Sequence, residues 1–201
     1  MDEVMDPAAG SLLRAKLMPP QASADYLVRP QLESALCANP HARVLLLAAP
    51  AGFGKTSALV ALAQARAQSG QAVAWLSLGP GDDEPSRFLL QLIEALASLL
   101  PGFGSEALAY LQNTMRVPVS AVMESLLVDL AQLDTPLLLV LDDLHLIQDA
   151  ELLGALNRLI KFAPEGFTLA IGTRSQPALN LATLRAKDLL VEIGEQELRL
   201  S

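Results

Sequence analysis

A chain of 201 residues with 52% hydrophobic side chains holds enough apolar material for a large core, and its length suits one to one and a half domains. The formal net charge of −8 argues against a surface that grips DNA or RNA unaided, because nucleic-acid affinity rests on cationic side chains. Cys37 is the sole cysteine, which excludes an internal disulfide and fits a reducing cytoplasm; the acidic start Met1-Asp2-Glu3 is unlike a secretory signal, and no apolar run reaches the ~20 residues of a membrane-spanning helix.

Residues 1–15 carry Asp2, Glu3, Asp6, Pro7, Gly10 and Ser11 without periodicity and read as a flexible tail. The prolines between Lys16 and Pro30 predict an extended segment, and Pro30 to Ala38 a short helix. Val44 to Ala48 is an unbroken apolar run, as expected of a strand buried on both faces. The Ala/Leu-rich stretch Ser57 to Gln68 predicts a helix, and Ala72 to Leu78 a second strand. Gly79 to Asp83 reads as a turn in which Asp82 or Asp83 caps the next helix, with Pro85 in its first turn. That helix runs to about Leu100, with Phe88, Leu89, Leu92, Ile93 and Leu96 on one stripe, and Pro101-Gly102-Phe103-Gly104 stops it. Helices follow at Glu106–Asn113 and Val119–Leu133, then a strand at Leu137–Leu141, a helix at Ala150–Phe162, a strand at Phe167–Gly172, a helix at Leu181–Asp188 and a last strand at Leu189–Ile193. This alternation implies an α/β fold with a parallel sheet covered on both faces.

The chemistry concentrates between the first strand and its helix, at Ala49-Pro50-Ala51-Gly52-Phe53-Gly54-Lys55-Thr56. Strand, glycine-containing loop and helix together make a phosphate-binding loop, because the main-chain N–H groups of residues 52–57 converge on one point at the positive end of the helix dipole. Ala51, Gly52, Phe53, Gly54, Lys55, Thr56 and Ser57 are the expected nucleotide contacts. Gly52 and Gly54 can take positive φ, Lys55 brings a cation to the β- and γ-phosphates, and Thr56 offers a hydroxyl to Mg²⁺. Ala49 stands where the common pattern has glycine, which the loop tolerates if φ is negative there. The strand at Leu137–Leu141 delivers Asp142-Asp143 to the same sheet edge. Asp142 is expected on the metal side, through water, with Asp143 polarising the attacking water. The third strand ends in Thr173-Arg174: Arg174 is placed to sense or stabilise the γ-phosphate, and Thr173 to bond the water or hold Asp143. His145 is expected to cap or pack.

Lys16-Leu17, Leu27-Val28-Arg29-Pro30, the loop Ala49 to Thr56, Trp75-Leu76-Ser77-Leu78, Arg87-Phe88, Leu139 to His145 and Thr173-Arg174, taken as an ordered set, resemble the nucleotide-binding domain of MalT-like, LuxR-type transcriptional regulators, which are P-loop ATPases of the STAND group. The resemblance runs from about Lys16 to the C-terminus, making 16–201 one P-loop NTPase domain. It implies a three-layer sandwich with five parallel strands in the RecA/AAA-like order 5-1-4-3-2. It also implies that Val28 and Arg29 lie over the adenine, that ADP marks a resting state, and that the ATP-bound state self-associates. Winged-helix, helical-repeat sensor and DNA-binding domains are expected elsewhere in such a regulator, so DNA would be met only through a domain this chain lacks.

A regulatory switch that binds ATP or ADP with Mg²⁺ and hydrolyses ATP slowly is therefore the leading expectation. The alternatives are a P-loop kinase or motor-type ATPase, and a scaffold that binds nucleotide without hydrolysing it. Phosphoryl transfer to an acceptor would call for a lid with several arginines, yet Arg116 and Arg158 are the only ones between Thr114 and Thr173. No Asn-Lys-x-Asp element is present to read guanine.

Overall fold

The computed structural model describes residues 13–21, 34–36, 39–99, 102–113 and 118–199. Its centre is five short strands of nearly continuous apolar sequence: β1 (Val44–Ala48), β2 (Ala72–Ser77), β3 (Leu137–Asp142), β4 (Phe167–Thr173) and β5 (Leu190–Ile193). All pair in parallel, in the order β2-β3-β4-β1-β5. Read from the opposite edge this is 5-1-4-3-2, the order the family resemblance implied, with β4 between β1 and β3.

Side chains alternate across the pleat, and both sets are apolar. Val44, Leu46, Leu139, Leu141, Leu169 and Ile171 enter one core, while Leu45, Leu47, Leu138, Val140 and Trp75 enter the other. Both faces are dry, so the strands read as unbroken apolar runs instead of alternating ones.

The helices are α1 (Lys55–Gln68), α2 (Pro85–Ala97), α3 (Ser105–Asn113), α4 (Val119–Leu130), α5 (Ala150–Phe162), α6 (Leu181–Ala186) and α7 (Glu195–Leu198). On one face α1 lays Ala58, Leu59, Leu62 and Ala63 against the sheet, joined by Leu198 of α7. On the other, α2 contributes Phe88, Leu92 and Ile93, α4 contributes Val122, Met123 and Leu126, and α5 contributes Leu152, Leu156 and Leu159. Three layers result, the expected sandwich.

Several expectations shift at element ends. α2 stops at Ala97 and α4 at Leu130. A 3-10 turn at Leu144–Leu146 and the short α7 were not anticipated. The cap of α2 is Glu84, not Asp82 or Asp83: its carboxylate accepts from Ser86 N–H at 3.0 Å and Arg87 N–H at 2.8 Å. Pro85 occupies the first helical position, so the residue directly before it is the one whose side chain reaches the free N–H groups.

The two aspartates serve instead as ties. Asp83 Oδ1 accepts from the N–H groups of Gln148 at 2.7 Å and Asp149 at 2.8 Å, joining the β2–α2 loop to the start of α5. Asp82 is completely buried. It accepts from Lys16 Nζ, from Gly79 N–H at 2.6 Å and from Gln91 Nε2 at 3.0 Å, with Arg87 Nε 3.1 Å away. Burial works against its charge, but hydrogen bonds from Lys16, Gly79 and Gln91 together hold its carboxyl below the usual range.

Residues 13–16 form a helical turn where the end of the tail and the start of the extended segment were expected, and 34–36 another within the expected helix from Pro30 to Ala38. The rest of the tail, of that helix and of the extended segment beyond residue 21 lies outside the described residues.

Gly172 shows how closely β4 approaches β3 and α1. A Cβ built there would stand 2.3 Å from Asp142 Oδ1 and 2.9 Å from Leu59 Cδ1. Gly172→Ala is expected to destabilise the protein by about 1–3 kcal/mol, as a lower urea midpoint with an unchanged slope.

Candidate functional site

Strand register brings three motifs to one edge. Ala48 pairs with Thr173 and Leu141 with Ile171, so the C-terminal ends of β1, β4 and β3 are level. The loop after β1 takes the conformation its glycines permit: Gly52 has φ 86° and Gly54 φ 76°. Nothing lies within 4 Å of a Cβ position at Gly52, so the loop is open on that side. Gly54 is the N-cap of α1 and supplies no side-chain acceptor, which leaves N–H groups of the first turn for a ligand. Ala49 is buried and does not have positive φ, so alanine fits where glycine is commoner. Ala51, Gly52 and Ser57 are exposed, and Phe53 and Gly54 half-buried. Val28 and Arg29, expected over an adenine, lie outside the described residues.

Lys55 is 6% exposed. Its ammonium donates to the carbonyls of Ala49 at 2.7 Å and Pro50 at 2.9 Å, which leaves one of three donors for another acceptor. Desolvation lowers its pKa, Asp143 and Asp142 push it back up, and Arg174 lowers it further. Arg174, though exposed, thus lies near enough to act on the same region.

Thr56 and Asp142 join the loop to β3: Thr56 Oγ1 donates to Asp142 Oδ2 at 2.7 Å, and Asp143 N–H donates to Asp142 Oδ1 at 3.1 Å. Asp142 is 4% exposed. Burial raises its pKa first, Asp143 adds to that, and the bonds from Thr56 and Asp143 N–H and the charge of Lys55 oppose it. A hydroxyl and a carboxylate in contact form a hard oxygen pair, which suits Mg²⁺ completed by water and phosphate oxygens. Among the described residues no group of three or more His, Cys, Asp or Glu could hold a metal, so any cation here would depend on such outside oxygens.

Asp143 has φ 61° and ψ 37°, a left-handed conformation that aspartate tolerates better than most residues. The main chain leaves the strand direction at this residue. His145 sits beside it, Nδ1 3.6 Å from Asp143 Oδ1, too long for a hydrogen bond; that nitrogen is buried and without a partner. Desolvation lowers the His145 pKa, against the pull of Asp143. Thr173 departs from expectation. It is fully buried and donates to the Ser175 carbonyl at 2.7 Å, so it braces the turn around Arg174 and does not hold Asp143. Sequence reasoning missed Gly172, although a glycine inside an apolar strand signals a close approach of another group.

A family model described as an AAA ATPase domain matches residues 29–167. The chain belongs to the AAA ATPase domain family. Beyond that, this AAA ATPase domain is 33% identical over 187 residues to the HTH-type transcriptional regulator MalT of Klebsiella pneumoniae subsp. pneumoniae; the match covers 93% of the chain and 20% of the regulator. The chain thus spans about a fifth of that relative's length. Its fold is similar to that in the structure of Drosophila ORC bound to AT-rich DNA and Cdc6, with TM-score 0.53, 11% identity, and 94% of this chain and 58% of that one covered. It is also similar to the Aeropyrum pernix ORC1 protein in complex with DNA, with TM-score 0.52, 18% identity, and coverages of 88% and 47%. Among the described residues no helix is long and apolar enough to cross a membrane.

The raised Asp142 pKa has a sign that can be checked. In the folded protein this carboxyl keeps its proton to higher pH than in the unfolded chain. The stability it contributes is therefore present below the ordinary carboxylate range and lost as pH rises through the raised folded value. Asp142→Asn should remove that slope. Its amide oxygen can accept from Asp143 N–H while its NH₂ donates to Thr56. Urea titrations between about pH 4 and pH 7 are expected to show the variant gaining stability over wild type as pH rises.

Proposed function

We propose that this AAA ATPase domain is the nucleotide switch of a MalT-like transcription regulator, binding ATP or ADP with Mg²⁺ and hydrolysing ATP slowly. The observation that carries this reading is the 2.7 Å bond from Thr56 to Asp142, which unites the phosphate loop with the acidic strand end. The identity shared with the MalT regulator over 93% of the chain supports the regulatory context.

In this reading the N–H groups from Gly52 to Ser57 bind the phosphates and Lys55 brings its cation to the β- and γ-phosphates, each charge-assisted bond worth about 1.5–3 kcal/mol. Thr56, and Asp142 through water, would hold Mg²⁺, which when bound would neutralise phosphate charge and raise the electrophilicity of the γ-phosphorus. Asp143 orients the attacking water and accepts its proton, and Arg174 stabilises charge on the γ-phosphate oxygens. Val28 and Arg29 cover the base. Hydrolysis removes the contacts that Lys55, Thr56 and Arg174 make with the γ-phosphate and so resets the switch. Self-association in the ATP state, and DNA contact through another part of a longer regulator in the cytoplasm, complete the proposal.

Lys55→Ala is expected to weaken ATP binding about 10- to 100-fold by calorimetric titration; wild-type affinity in that variant would remove the basis of the reading. Asp143→Asn should leave ATP affinity within a few-fold of wild type and lower the single-turnover hydrolysis rate about 10²-fold or more. An equal loss of affinity and rate would instead place Asp143 in binding.

A further inference from the structure

At the opposite edge of the sheet, where β1 begins, α5, α6 and the approach to β5 line a cavity of about 310 Å³ that is open on one side. Ile160, Leu184 and Leu189 contribute its apolar surface, and Arg43, Lys161 and Lys187 its positive charge. None of the three cations has a carboxylate within ion-pair distance among the described residues. The Lys161 ammonium lies over the exposed Phe162 ring, 4.8 Å from its centroid, a contact that uses none of its hydrogen-bond donors, so in a chain of net charge −8 three cations without a carboxylate partner line one concavity.

Arg43 is held rigidly. Its Nη1 donates to the Ile160 carbonyl at 3.1 Å and the Ala163 carbonyl at 2.7 Å. It thereby satisfies carbonyls at the C-terminal end of α5 and keeps other guanidinium donors over. Asn157 Oδ1 accepts from Asn180 N–H at 2.8 Å, which pins the start of α6 to α5 and so shapes the wall. Lys161 and Lys187 stand at the C-terminal ends of α5 and α6, where a cation complements the helix dipole. That accounts for each lysine singly, but not for an apolar hollow between them.

We propose that this cavity binds a small carboxylate with an apolar body of about six to ten carbons, its chain against Ile160, Leu184 and Leu189 and its carboxylate met by Arg43, Lys161 and Lys187. The volume lies at the lower end of the range for small-molecule pockets, which fits a ligand of this size. Because Arg43 immediately precedes β1, the site shares a strand with the phosphate loop while lying at the other end of it. It is a second site, separate from the nucleotide.

The probe is octanoate, titrated calorimetrically or followed by amide NMR shifts. One-to-one binding with Kd below about 1 mM is expected, with inorganic phosphate at least tenfold weaker and octylammonium not bound. Lys161→Gln combined with Lys187→Gln should weaken octanoate about tenfold while the thermal unfolding midpoint stays near wild type. Lys55→Ala should bind octanoate as wild type does, so failure at the phosphate loop and failure here are distinguishable. The proposal is overturned if octanoate does not bind, if the double variant binds it unchanged, or if octylammonium binds equally well. Should the double variant unfold, Thr183→Trp, which fills the mouth of the cavity from the exposed face of α6, must abolish octanoate binding for the proposal to stand.

Discussion

A buried carboxylate with no cationic partner in direct contact is the constraint around which this molecule is arranged. Asp142 ends β3 at 4% exposure, and its hydrogen bonds come from a hydroxyl and a main-chain N–H, neither of them charged. Removing a carboxylate from water is costly unless something compensates. The nearby ammonium of Lys55 compensates from a distance while bonded to its own loop. Among the described residues no direct ion pair joins Lys55 to Asp142, which suits a polyphosphate and its counter-cation coming between them.

Geometry around that carboxylate is then tightly prescribed. Space for it exists because β4 has glycine at 172, and Leu59 of α1 fills the rest of the same gap. The hydroxyl that meets it belongs to the second residue of α1, whose position follows from the left-handed turn at Gly54. The residue after it, Asp143, turns off the strand with φ 61°. Sheet order matters for the same reason: β4 must lie between β1 and β3 for Gly172 to abut Asp142, and for Arg174 to emerge between the loop and the acidic turn.

Much of this was legible from residue order alone, for identifiable reasons. Strands buried on both faces carry apolar runs that cannot be mistaken for amphipathic surface, and β1, β3 and β4 were found this way within a residue. The phosphate loop was legible because Gly52 and Gly54 are there for their backbone freedom, a local property. What stayed hidden was tertiary. Nothing near Asp82 in sequence says that it will be enclosed and met by Lys16, 66 positions away, so its aspartate looked like a helix cap. Thr173 looked free to serve Asp143, but its hydroxyl is consumed by the Ser175 carbonyl two residues on. The cavity at Arg43 has no linear signature, since its walls come from α5, α6 and two strand approaches.

Enclosure of Asp82 also has a mechanical outcome. The carboxylate knots together Lys16, the Gly79 turn and Gln91 of α2, while its neighbour Asp83 fastens that same turn to the head of α5. A pull on the segment at Lys16, which Leu17 also packs against the core, is therefore transmitted through Asp82 and its neighbour to two helices. Any displacement of Lys16 must either carry the turn along with it or strand a dry anion, so residues 13–16 work as a tether on the β2–α2 loop.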